Sequence, residues 1–187
     1  YPSVSTYDLA IQEREADLAI ATFGRSLWIL DDIRPLRKLA SSKGTLSKTL
    51  TVFPAPDAYQ SFYKPAPGYE WSADGLWDAE NRRRGAAISY VVNKSAEPKD
   101  TSKAVGRQGR STDSVTARFY NSNNELIRTL KWKVDTGFNK SYWGMEEKGY
   151  RQPGGPKPRP GAPEPGGEDV LPGTYKVVLS MGRNSDS

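Results

Sequence analysis

The sequence predicts an all-β fold whose larger part, from residue 51 to 187, is an antiparallel sandwich. Three observations lead there. Apolar residues recur at every second position in several short runs, as a half-buried strand requires. Turn-prone residues separate the runs. The chain also carries 5 Trp, 10 Tyr and 5 Phe, enough bulky apolar surface for a core.

Residues 1–33 read as short strands: Leu9 to Gln12, Asp17 to Thr22 and Leu27 to Asp31. Phe23-Gly24-Arg25-Ser26 links the last two tightly. Closely spaced strands with hairpin links are what one propeller blade needs. Three short strands cannot bury both of their faces alone, so this unit must lean on something else. Residues 34–50 form a connector, with Pro35 placed to start a helical turn over Leu36 to Ala40. Thr49 to Phe53 reads as a strand stopped by Pro54 and Pro56. Residues 54–85 hold Tyr59, Phe62, Tyr63, Tyr69, Trp71 and Trp77 among Pro and Gly, an irregular segment pinned by aromatics.

Residues 86–92 read as a strand with Ala86, Ile88, Tyr90 and Val92 on one face. Residues 93–113 lack periodicity and read as a long loop. Residues 114–134 read as a hairpin turning at Ser122-Asn123-Asn124. Val115, Ala117 and Phe119 share a face on its first strand. Leu126, Leu130, Trp132 and Val134 share one on its second. Residues 138–143 form a further strand, with Phe138 and Tyr142 on one side and Trp143 on the other. Residues 151–169 are nearly all Pro, Gly and charge, which excludes a helix or a central strand and predicts a loop. Pro172-Gly173 is expected to set a final hairpin before a strand from Thr174 to Met181.

The chain has no cysteine and no histidine. Within it, disulfides, thiol nucleophiles, histidine triads and Cys/His zinc sites are therefore excluded. The net charge is +5, with 27 basic residues offset by 22 acidic ones. The basic residues are spread out apart from Arg82-Arg83-Arg84, and there is no nucleic-acid-binding motif, so no nucleic-acid partner is expected. No apolar run reaches the roughly 20 residues of a membrane span. No phosphate loop, nucleophile elbow or dinucleotide fingerprint is present, and no cofactor is expected. Asp57, Asp74, Asp78 and Glu80 lack the spacing of a calcium loop, so no metal is expected. The start at Tyr1 and the end at Ser187 read as cuts from something longer.

Asp31-Asp32 is an adjacent carboxylate pair. Glycoside hydrolysis needs two carboxylates facing one sugar, but neighbours on a strand point to opposite faces. The expected role is structural. Arg25 is expected to pair with one of the two and fasten the corner, and no residue is assigned to catalysis. Tyr69, Trp71 and Trp77 offer a stacking platform for a sugar, or equally a covered interface.

Asp17 to Leu36, with Thr22, Gly24, Arg25, Trp28, Asp31, Asp32, Pro35 and Leu36 in place, resembles the end of the propeller in bacterial sortilin-like proteins with neuraminidase-type repeats. These are often labelled glycosyl hydrolases. Phe23 stands where a His is usual. Ser72 to Trp77 resembles a shortened Asp-box of such repeats. Leu126 to Leu130, Gly137-Phe138-Asn139, Trp143 and Val170 to Leu179 are similar to the Ig-like, hook-capping-type sandwich that follows the propeller in that family, although Gly144 replaces its usual Asp.

The resemblance implies last-blade strands over residues 1–33 and a connector over 34–50. An Ig-like sandwich over 51–187 would follow, with its Pro/Gly loop at 151–169. It implies a periplasmic, cell-surface or secreted protein whose first partner is the rest of its own propeller, with a glycan or a protein as the others. The expected function is a non-catalytic structural and interaction module. The alternatives are a piece of a glycan-active hydrolase with its site on the propeller, and a carbohydrate-binding module.

Overall fold

The computed structural model describes residues 3–42, 44–61, 83–93, 114–150, 153–154, 162–182 and 184–187. The protein is all-β, built from several antiparallel sheets, with one α-helix among the described residues. Most of the aromatic segment, including Tyr69, Trp71 and Trp77, lies outside the described residues, as does nearly all of the loop expected at 93–113.

The first sheet is antiparallel, in the order β1 (Thr6–Gln12), β2 (Asp17–Thr22), β3 (Leu27–Leu30). Helix α1 (Arg34–Ser41) follows, with Pro35 in its first turn, where a missing N–H costs nothing. A single 3-10 turn, Thr45–Ser47, leads into β4 (Leu50–Val52). β4, β5 (Ala86–Val92) and β8 (Gly137–Trp143) form a second sheet in the order β4-β5-β8. β6 (Ser114–Tyr120) and β7 (Leu126–Lys133) form the expected hairpin. They belong to a third sheet of order β12-β11-β6-β7, completed by β11 (Lys176–Met181) and β12 (Asn184–Asp186).

The second and third sheets share one core. The even-numbered face of β5 supplies Ile88, Tyr90 and Val92, which meet Val115, Ala117 and Phe119 of β6 and Leu179 and Met181 of β11. Trp143 settles the ambiguous face of β8 by turning inward, where it stacks on Phe119 at 4.4 Å and meets Tyr175 edge-on at 5.4 Å. On one flank the two sheets are tied where the Val52 N–H donates to Asp186 Oδ2 at 2.8 Å.

β5 is buried on its other face as well, at Ser89 and Val91. The connector and the end of the stretch before it cover that side. Thr51, opposite Val91 in the ladder, donates its hydroxyl to the Thr45 carbonyl at 3.2 Å. Lys140, opposite Ser89, donates Nζ to the Asp31 carbonyl at 2.9 Å.

Three features depart from the sequence reading. The expected loop at 151–169 contains β10 (Gly166–Asp169), paired with β9 (Glu146–Lys148) in a two-stranded ribbon. The glycines make this possible: a Cβ on Gly149 would collide with the Gly166 carbonyl, and one on Gly167 would come within 2.9 Å of the Glu147 carbonyl oxygen. Pro172-Gly173 does not close a hairpin, because β11 pairs with β6 and β12 while β10 pairs with β9. The turn instead passes the chain from the ribbon to the third sheet. Finally, the apolar row of β7 contains Arg128, which lies opposite Phe119 and is buried. Its guanidinium donates to the carbonyls of Glu147 and Pro165 at 2.6 Å and of Glu164 at 3.2 Å. Arg128 thereby fastens the β9–β10 ribbon to β7, and the Thr129 N–H adds a bond to Glu164 Oε2 at 3.1 Å.

Arg128→Ala strands three carbonyls and is expected to cost about 3 kcal/mol in denaturant unfolding. Lys148→Ala removes only the exposed pair with Glu164 at 3.1 Å and is expected to stay within about 1 kcal/mol. Burial raises the Tyr90 hydroxyl above its ordinary value, and its hydrogen bond with Ser141 offsets part of that rise. The unfolded chain ionises this group at about 10 while the folded one resists. Its contribution to stability is therefore whole below pH 10 and lost as pH rises further. Tyr90→Phe should flatten the alkaline slope in thermal melts taken from pH 9 to 11.

Candidate interaction surface

The N-terminal sheet has apolar residues on both sides, because β2 alternates large and small apolar residues at its centre and β3 is apolar throughout. Leu9, Ile20 and Trp28 stand side by side across it, and so do Ile11, Leu18 and Leu30. These six make one face. On the opposite face Ala10, Ala19 and Ile29 form one rung, flanked by the rung of Asp8, Ala21 and Leu27 and by the pair Gln12 and Asp17. Neither face is covered in this structure: Leu9 is 57 % exposed and Ile29 56 %.

The edges are unequal. β3 presents Leu27-Trp28-Ile29-Leu30 with no charge, no proline and no bulge, the features that guard an edge strand. β1 has a register shift between Thr6 and Asp8 and the charge of Asp8.

The corner residues read from the sequence mostly sit at the β2–β3 turn. Gly24 takes a φ of +74°, which glycine adopts at little cost. The Thr22 hydroxyl donates to the Ser26 carbonyl at 2.6 Å, and the Trp28 indole N–H donates to the Arg25 carbonyl at 2.9 Å. Arg25 therefore serves the turn through its backbone, and its side chain is exposed.

The expected ion pair falls elsewhere. Asp32 accepts from Arg34, Nε to Oδ1 at 2.5 Å, and Asp32 is 8 % exposed. The carboxylate of Asp32 raises the Arg34 guanidinium above its ordinary value. The Asp32 N–H donates to Asp17 Oδ1 at 2.9 Å, and the Ile33 N–H donates to the Ala16 carbonyl at 2.8 Å. These bonds make an elbow that joins the sheet to α1. Strand alternation does not separate Asp31 from Asp32, since β3 ends at Leu30 and Asp32 turns to a φ of +52°. Both residues border one cleft against the outer side of the β4-β5-β8 sheet. Arg34 and Asp17 were not singled out in the sequence. The available signal was an acid two residues ahead of an arginine at a proline-marked helix start.

Among the described residues, no group of three acidic side chains is placed to hold a metal. Comparison with protein-family models, with curated proteins and with solved structures finds no significant match for this chain.

Substitutions at Asp32 separate the backbone from the ion pair. Asn tolerates positive φ and keeps an acceptor, Gly keeps only the conformation, and Ala keeps neither. The cost in denaturant unfolding is expected to rise in the order Asn, Gly, Ala, with Ala about 1 kcal/mol worse than Gly.

Proposed function

We propose that the chain is a non-catalytic structural and interaction module. Its N-terminal sheet is part of a terminal propeller blade, and its larger part is an Ig-like sandwich. One observation carries this reading: the three-stranded sheet leaves six large apolar residues uncovered on one face and Leu27 and Ile29 exposed beside Ala19 and Ala21 on the other. A three-stranded sheet that packs neither face buries too little apolar surface to be stable alone, and apolar residues on both sides suit an interior layer. Neighbouring layers on both sides, as a propeller places around each blade, supply that surface.

Further support comes from the shared core of the other two sheets and from the turn geometry of Gly24 and Trp28. The sandwich is proposed to buttress the end of the propeller and to present its loops to a partner. By the same resemblance, the setting is a periplasmic, secreted or cell-surface protein.

The test is the accessibility of the two faces. This chain should bind an apolar dye such as ANS and self-associate at high concentration. Leu9→Lys and Ile29→Lys place one charge on each face at positions already more than half exposed. Each should lower dye fluorescence and self-association, and leave the thermal midpoint within a few degrees. In a longer chain that carries the propeller, the amides of β1 to β3 should exchange more slowly than in this chain. Equal exchange rates in the two chains would contradict the proposal.

A further inference from the structure

A second feature stands apart from the apolar faces. A cleft of about 470 Å³ lies between the elbow, the extended stretch 56–61 and the outer side of β8. That volume is within the range of about 300–1,000 Å³ usual for small-molecule sites. Its described lining includes five carboxylates and four cationic side chains, so the charges nearly balance.

Several of these groups are already committed. Asp32 holds Arg34, and Lys140 is bonded to the Asp31 carbonyl. Others are not. Asp57, Tyr59 and Asp169 are exposed, and their side chains make no hydrogen bond or ion pair with other described residues. Tyr59 is 69 % exposed and lies two residues from Asp57 on the same stretch. The guanidinium of Arg83 lies 6.0 Å from the centre of the Tyr142 ring and makes no hydrogen bond or ion pair with other described residues.

We propose that this cleft binds a neutral polyhydroxylated ligand, a short oligosaccharide. Each hydroxyl of such a ligand both donates and accepts. A lining that offers carboxylate acceptors beside guanidinium donors satisfies both halves of that pattern. The exposed Tyr59 ring supplies a flat apolar surface for the C–H face of a sugar. A polyanion would meet the carboxylates of Asp57 and Asp169, and a polycation would meet Arg83. The balance of charge therefore selects against both. This proposal does not depend on the propeller reading, because it uses only the cleft.

The experiment is a titration of this chain with cellotriose, maltotriose and chitotriose, followed by calorimetry and by amide chemical shifts. Trigalacturonate is the anionic control. At least one neutral trisaccharide should bind, and trigalacturonate should bind at least tenfold more weakly. Tyr59→Ala and Asp57→Asn each change an exposed residue, and each should weaken binding about tenfold, while Tyr59→Phe should retain it. Circular dichroism confirms that the variants keep their fold. Absence of binding by all three neutral sugars would overturn the proposal. So would binding untouched by both Tyr59→Ala and Asp57→Asn, or tighter binding of trigalacturonate.

Discussion

The two-sided burial of β5 is the constraint on which the rest of the structure depends. Its inner face carries Ile88, Tyr90 and Val92 into the core shared with β6 and β11. Its outer face would be an apolar surface in water if the connector did not cover it. Thr45 does so from the connector at 34–50, which reads in the sequence as a mere link, and Asp31 does so from the end of the stretch read as blade strands. A strand buried on both sides needs both layers, so the position of the connector is set by the second sheet. The connector in turn carries the elbow, and the elbow aims the N-terminal sheet.

That N-terminal sheet is the opposite case. Its strands have the composition of a buried layer but the exposure of a surface. The hairpin bonds and the two turns specify its shape locally, through Gly24, Ser26 and Ala16 at positive φ. Local geometry of this kind forms without a partner, but it gains little from burial. The larger part has the reverse balance. There, long-range pairs such as Val52 with Asp186 and Arg128 with Pro165 hold together segments far apart in the chain. The N-terminal sheet thus takes its shape from local bonds while most of its apolar residues stay uncovered by the described residues.

Most strands were legible in the sequence because period-two alternation survives wherever one face is buried. The range predicted for β5, residues 86–92, matches the structure, and Gly85 marks its start with a φ of +104°. The missed elements share a physical cause. β9 and β12 carry no apolar residue, so no period can show. β10 has no apolar side chain, and its pairing depends on the absence of Cβ atoms. Arg128 was hidden because a charge in an apolar row reads as a solvated position, whereas here backbone carbonyls replace the water. The elbow was hidden because nothing in an aspartate announces positive φ. The cleft was beyond reach, since its lining comes from separate stretches that only the tertiary fold brings together.

The two faces of the N-terminal sheet are not interchangeable, and this limits what can cover them. One face carries Leu9, Ile11, Leu18, Ile20, Trp28 and Leu30, a raised and irregular surface. The other has alanine at three of the six positions in its two central rungs and Asp8 at a fourth, with Leu27 and Ile29 grouped on β3. Facing sheets usually pack about 10 Å apart, a distance set by the side chains between them. A layer over the alanine side must approach more closely or bring larger residues of its own, or voids would remain. A layer over the leucine side must offer gaps for the rings and branches already there. The two layers therefore need different surfaces. That difference gives the sheet a polarity, so a single kind of flat apolar surface cannot satisfy both of its sides.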